Sequence, residues 1–89
     1  MEYSLHEAEL LMQLGQRMKM IRLKKNVSQS QLATATGMQK SNISRIEAGN
    51  INITVNSLLR IAMALEVDVR GIFLTINPVN IKVPDFYVR

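Results

Sequence analysis

Apolar residues at Leu11, Leu14, Met18 and Ile21 recur at intervals of three and four, the spacing of one face of a helix. Ser4 followed by Glu7 has the spacing of a capping box, in which side chain and backbone satisfy each other at a helix start. The pattern predicts a helix from about Leu5 to Lys25, bent or broken near Gly15, where glycine weakens helix propensity. Asn26 and Val27 form a short connector. Ser28 with Gln31 is a second capping box, opening a short helix that turns Leu32 and Ala33 inward. Gly37 ends it, because glycine accepts the left-handed backbone common at helix stops. A third helix is expected from Lys40 to Ala48, with Ile43 and Ile46 inside and Gly49 as its stop. Thr54 caps a fourth, whose core face is Leu58, Ile61, Ala62 and Leu65. A short fifth helix or turn spans Asp68 to Phe73. Beyond Leu74, two prolines and the alternation Val79, Ile81, Val83 favour an extended segment or loose tail. The expected fold is all-α, a compact bundle of about five helices with a short extended C-terminal tail. Residues 1–13 extend the first helix, 14–74 form the bundle, and 75–89 are the tail.

At 89 residues, one domain is expected. A chain of this size buries about two-thirds of its unfolded surface, enough for a single core but not for a deep catalytic cleft. There are no cysteines, which excludes disulfides and thiolate zinc sites. No apolar run reaches the roughly 18 residues of a membrane helix. The start Met1-Glu2-Tyr3-Ser4 lacks the basic region of a signal peptide. A soluble, cytoplasmic protein without membrane association follows as the expectation. The distribution of charge says more than its total of +4. Between Leu10 and Gly49 stand Arg17, Lys19, Arg22, Lys24, Lys25, Lys40 and Arg45, against the single acid Glu47, a local net charge of +6. Such a stretch favours polyanions, nucleic acid before anionic membrane, or is simply a solvated face.

The two short helices around Gly37 narrow that choice. Ala33 is small enough to let them cross closely, over Leu32, Met38, Ile43 and Ile46. With Ile43 and Ile46 inside, Lys40, Ser41, Ser44, Arg45 and Ala48 turn outward. The resulting face is short, polar and basic, and it fits a DNA major groove about 12 Å wide. Gln29 stands at the start of the second helix, where free backbone N–H groups favour a phosphate.

Leu14-Gly15, Arg22, Ser28-Gln29, Leu32-Ala33, Gly37, Ile43-Ser44-Arg45-Ile46-Glu47, Gly49, Leu58, Ile61-Ala62 and Leu65-Glu66-Val67 together resemble the lambda-repressor-like, or XRE, helix-turn-helix family of DNA-binding proteins. The resemblance runs from Leu14 to Leu74, about two-thirds of the chain. It implies that Lys40, Ser41, Ser44 and Arg45 read bases. It implies that Gln29 grips a phosphate and braces the recognition helix, with Arg17, Asn42 and Asn50 near the DNA backbone. Arg22 and Glu47 match a structural pair tying the first helix to the third. Two positions depart from the family pattern. Gln39 stands where Ser or Thr usually caps the recognition helix, leaving its start less well fixed. Ile53 replaces a proline common before the fourth helix, and in that position the chain is similar to controller proteins of restriction–modification systems.

The resemblance implies a sequence-specific transcriptional regulator, a repressor or autoregulator, reading double-stranded DNA as a homodimer on an inverted repeat. Val67, Val69, Ile72, Phe73 and Leu74, with the strand-like tail, are candidates for the dimer contact. The alternative is a DNA-binding antitoxin whose tail masks a toxin or other protein partner. One histidine, His6, and scattered acids offer no nucleophile–base pair or metal cluster, so neither catalysis, a metal nor a cofactor is expected. The six methionines read as core filler. Tyr3, Phe73, Phe86 and Tyr87 are too scattered for a base-stacking platform.

Overall fold

The computed structural model describes residues 2–73, with side chains from Glu7 onward. The described residues form an all-helical bundle: α1 (Glu2–Lys24), α2 (Gln29–Thr36), α3 (Lys40–Glu47), α4 (Val55–Ala64) and α5 (Val69–Phe73). Leu74 and the 75–89 tail lie outside the described residues, and with them the strand-pairing and toxin-masking roles expected of that tail. α1 packs on α3 and α5, α2 on α3 and α4, and α4 on α5. α1 to α4 contribute their predicted inner faces to one core, and α5 adds Ile72. Met18, Ile43, Ile61 and Ile72 are fully buried, and Leu32 and Leu65 nearly so. Each such side chain stabilises the fold by about 1.5–3 kcal/mol relative to exposure.

α1 runs unbroken through Gly15, so the break expected as one alternative there is absent. The glycine serves packing instead: a Cβ there would collide with the carbonyl oxygens of Ile46 and Glu47. Backbone thus meets backbone where α1 crosses the end of α3. Gly49 repeats the arrangement, since its Cβ would lie 2.7 Å from Met12 Cα. Because α1 begins at Glu2, Ser4 lies within the helix and does not cap it.

Helices α1 to α4 end in the same way. The residue after the last turn turns left-handed, at Asn26 (φ 58°), Gly37 (71°), Gly49 (75°) and Glu66 (56°). The next amide then reaches back to a carbonyl of the final turn: Val27 to Arg22, Met38 to Ala33, Asn50 to Arg45 and Val67 to Ala62. These are Schellman closures, which satisfy carbonyls that a helix end otherwise leaves open. Val27, Met38 and Val67 also pack on the core, adding the hydrophobic contact that accompanies the motif.

Two sequence-based expectations are corrected here. Ile72 is wholly buried, and Val67 and Val69 are partly buried against the core, so they are spent inside the subunit. Of the expected dimer residues in the described range, Phe73 remains open at 48% exposure. Apolar side chains are also exposed on α1, at Met12, Met20 and Leu23, and on α4, where Val55, Leu59 and Met63 are spaced four apart along one stripe. The methionines are not uniformly core filler: Met18 is buried, but Met12, Met20 and Met63 are exposed.

Candidate nucleic-acid interface

Ile43, Ile46 and Glu47 anchor α3 to the bundle. At roughly 100° per residue, Ser41, Ser44, Arg45 and Ala48 then span the arc facing away from it, and all four are exposed. Serines and alanine keep this surface low, leaving Arg45 to stand out from it. Lys40 and Asn42 fall at opposite edges of the arc, Lys40 exposed and Asn42 half-buried. Gln39 occupies the cap position with extended backbone and makes no side-chain capping bond, as its departure from Ser or Thr implied. The start of α3 is held instead through main-chain bonds, with Asn42 and Ile43 amides donating to the Gln39 carbonyl.

α2 is placed by its capping box. The Ser28 hydroxyl accepts from the Gln31 amide at 3.0 Å, and the Ser28 amide donates to the Gln31 side chain at 2.8 Å. This fixes Gln29 as the first residue of α2, beside the end of α1. Behind it lies a buried ion pair: Arg22 Nε donates to Glu47 Oε2 at 2.6 Å and Nη2 to Oε1 at 3.0 Å. The side chains are only 6% and 3% exposed. Arg22 Nη1 also donates to the Val27 carbonyl at 2.9 Å, so the guanidinium fastens the α1–α2 turn as well as α3. A two-point pair with this additional bond meets the geometry that a desolvated ion pair requires.

Gln29 joins the same network, its Nε2 donating to Glu47 Oε1 at 3.1 Å. Its brace is therefore the carboxylate near the end of α3. Sequence reasoning found the members and missed this bond, because residues 29 and 47 meet only once α1, α2 and α3 have converged. Beside the network, Asn26, Ser28, Gln29, Ser30 and Lys40 line an open concavity together with Arg22, Leu23 and Val27. Its polar lining holds amides, hydroxyls and cations, and no carboxylate.

The remaining expected contacts lie elsewhere. Arg17 is half-buried against α5, donating from Nη2 to the Gly71 carbonyl at 3.4 Å, with a buried Nε that has no partner among the described residues. The structure does not bring it together with the α2–α3 surface through any of these bonds. Asn50 is exposed just past α3, its amide closing that helix on Arg45. Among the described residues no helix is long and apolar enough to cross a membrane. No group of three or more His, Cys, Asp and Glu could hold a metal there.

The sequence matches the helix-turn-helix family HTH_3 over residues 18–72. Its fold is similar to that of the restriction–modification controller protein C.AhdI from Aeromonas hydrophila, with 33% identity and a TM-score of 0.70 over 71% of this chain and 96% of that one. It is likewise similar to the wild-type controller protein C.Esp1396I, with 36% identity and a TM-score of 0.68 over 72% of this chain and 84% of that one. An HTH_3 family transcriptional regulator from Vibrio cholerae shares 27% identity and a TM-score of 0.72, over 75% of this chain but 38% of its own length. No curated protein sequence matches the chain.

Proposed function

This chain belongs to the helix-turn-helix family HTH_3, and from that premise we propose that it is a DNA-binding transcriptional regulator that lays α3 in the major groove. The observation carrying the proposal is the outward arc of α3: low, polar, headed by Arg45, and free of bulky apolar side chains. Arg45 is the principal base reader, flanked by Ser41 and Ser44. Gln29 holds the DNA backbone, with Asn42 and Asn50 as lesser backbone contacts. One such helix reads only a few base pairs, so the protein acts as a homodimer on an inverted repeat with half-sites about 34–36 Å apart. The open stripe Val55, Leu59, Met63 on α4 supplies apolar surface for that contact. Likeness to two controller proteins of restriction–modification systems, at 33% and 36% identity, supports a role in controlling such genes in the cytoplasm, as repressor or autoregulator.

Selection of binding sites from random duplex DNA, followed by affinity titrations at several salt concentrations, tests this. An inverted repeat should be enriched. Neutralising about six phosphates per dimer should give a log–log salt slope near −5. No enriched motif together with no salt slope would refute the proposal.

A further inference from the structure

We propose that Lys40 clamps a backbone phosphate together with Gln29 and does not read bases, contrary to what its position in the family pattern implies. The inference rests on the DNA-binding reading above and assigns a different role within the same surface.

The first argument is angular. Glu47 follows Lys40 by seven residues, so at roughly 100° per residue the two lie on nearly the same line of α3, about 20° apart. Glu47 is the buried edge of that helix, facing Arg22 and Gln29. Lys40 therefore leaves α3 on the side turned toward the start of α2. Ser41, Ser44 and Arg45 leave on the side turned away from the core. The second argument is the company Lys40 keeps: it shares the concavity with Asn26, Ser28, Gln29 and Ser30. An ammonium group, a carboxamide and two hydroxyls, with no carboxylate in the lining, suit a phosphodiester oxygen. Glu47, the one acid of α3, is already occupied by three donor atoms, from Arg22 and Gln29. It thus leaves Lys40 free for an anion. One N–H of the Gln29 carboxamide is committed to Glu47, which holds the group in place and leaves its second N–H for the same phosphate.

The consequence for recognition is a narrow code. With Lys40 on the backbone, Arg45 is the one long donor on the reading arc, and arginine pairs best with the O6 and N7 of guanine. Each half-site should be dominated by one G·C pair.

Site selection and salt titration of the full chain carrying Lys40→Ala, Lys40→Arg or Arg45→Ala separate the roles. Lys40→Ala should enrich the wild-type motif, yet bind selected and scrambled duplexes more weakly by a common factor, on the order of tenfold per subunit. Its salt slope should be shallower by about one per subunit. Lys40→Arg should restore both affinity and slope. Arg45→Ala should lose the dominant base pair from the motif. A changed base preference in Lys40→Ala, or a fall in discrimination with an unchanged slope, would overturn the assignment while leaving DNA binding intact. A wild-type protein with neither motif nor slope would overturn it together with the function on which it rests.

Discussion

Glu47 places a negative charge just behind a surface meant to meet phosphates, and three donor atoms from Arg22 and Gln29 close round it. Removing it would strand Arg22 in a site where that side chain is only 6% exposed. Glu47→Ala should lower stability by about 3–5 kcal/mol, the range for breaking a buried pair. For a domain of this size that is a fall in Tm of roughly 12 °C or more, and an unchanged melting curve would show that the pair carries no weight. At the surface the effects should divide by type of contact. Arg45→Ala should lose about 1–3 kcal/mol of discrimination between the selected site and a variant at its dominant base pair. Gln29→Ala should weaken both duplexes alike, and parallel fluorescence-anisotropy titrations would separate the two patterns. Arg22 and Glu47 were legible in the sequence through their match to the family pattern, and Gln29 and Arg45 also through their places at a helix start and on an outward helix face. The Gln29–Glu47 bond was not, since it depends on where α2 meets α3 in space.

The ends of the helices show a similar division. Gly37 and Gly49 announce their turns, because glycine enters the left-handed region without steric penalty. Asn26 and Glu66 adopt the same backbone (φ 58° and 56°) with a side chain attached, and neither stood out from composition alone. Asparagine tolerates the region, but glutamate is strained there. Glu66→Gly should therefore stabilise the protein by about 0.5–1 kcal/mol, the left-handed penalty less the extra chain entropy of glycine. Denaturant unfolding would reveal this as a higher midpoint at unchanged slope. The start of α5 is secured differently, by Asp68 accepting from the Arg70 amide at 2.8 Å and from its guanidinium at 2.7 Å. The Arg70 side-chain hydrogen bond, then its amide, holds the Asp68 carboxyl down to about 2. A depressed carboxylate contributes fully above its unfolded pKa, near 3.9, and loses that contribution as pH falls through the folded value. Acid titration by NMR should find Asp68 still ionised at pH 3, and a midpoint near 4 would show that the Arg70 contact does not persist in solution.

Among the described residues, the large exposed apolar side chains stand outside a closed core: Met12, Met20 and Leu23 on α1, a stripe of Val55, Leu59 and Met63 on α4, and Phe73 on α5. Helical periodicity foretold the core well, because Leu14, Met18 and Ile21 on α1, Ile43 and Ile46 on α3, and Leu58, Ile61 and Ala62 on α4 each recur at the spacing of one helix face. It did not foretell the stripe: the four-residue spacing of Val55, Leu59 and Met63 runs beside the core spacing of α4, and the sequence does not say which set has neighbours. With Val67, Val69 and Ile72 turned inward, the dimer contact should depend on α4. Leu59→Asp with Met63→Lys should shift sedimentation toward the monomer while leaving the helical circular-dichroism signal intact. A dimer equal in strength to wild type would move the contact elsewhere. The close crossings at Gly15 and Gly49 bear on a different property. There the backbone of α1 closely approaches the end of α3 at Gly15 and the turn after it at Gly49, so α3 and its arc form one stiff block with α1. Any mismatch in curvature between two such blocks and a straight duplex must then be absorbed by the DNA. Base pairs that no side chain touches will accordingly influence affinity through how easily they kink, with pliant pyrimidine–purine steps such as TA favoured between the half-sites.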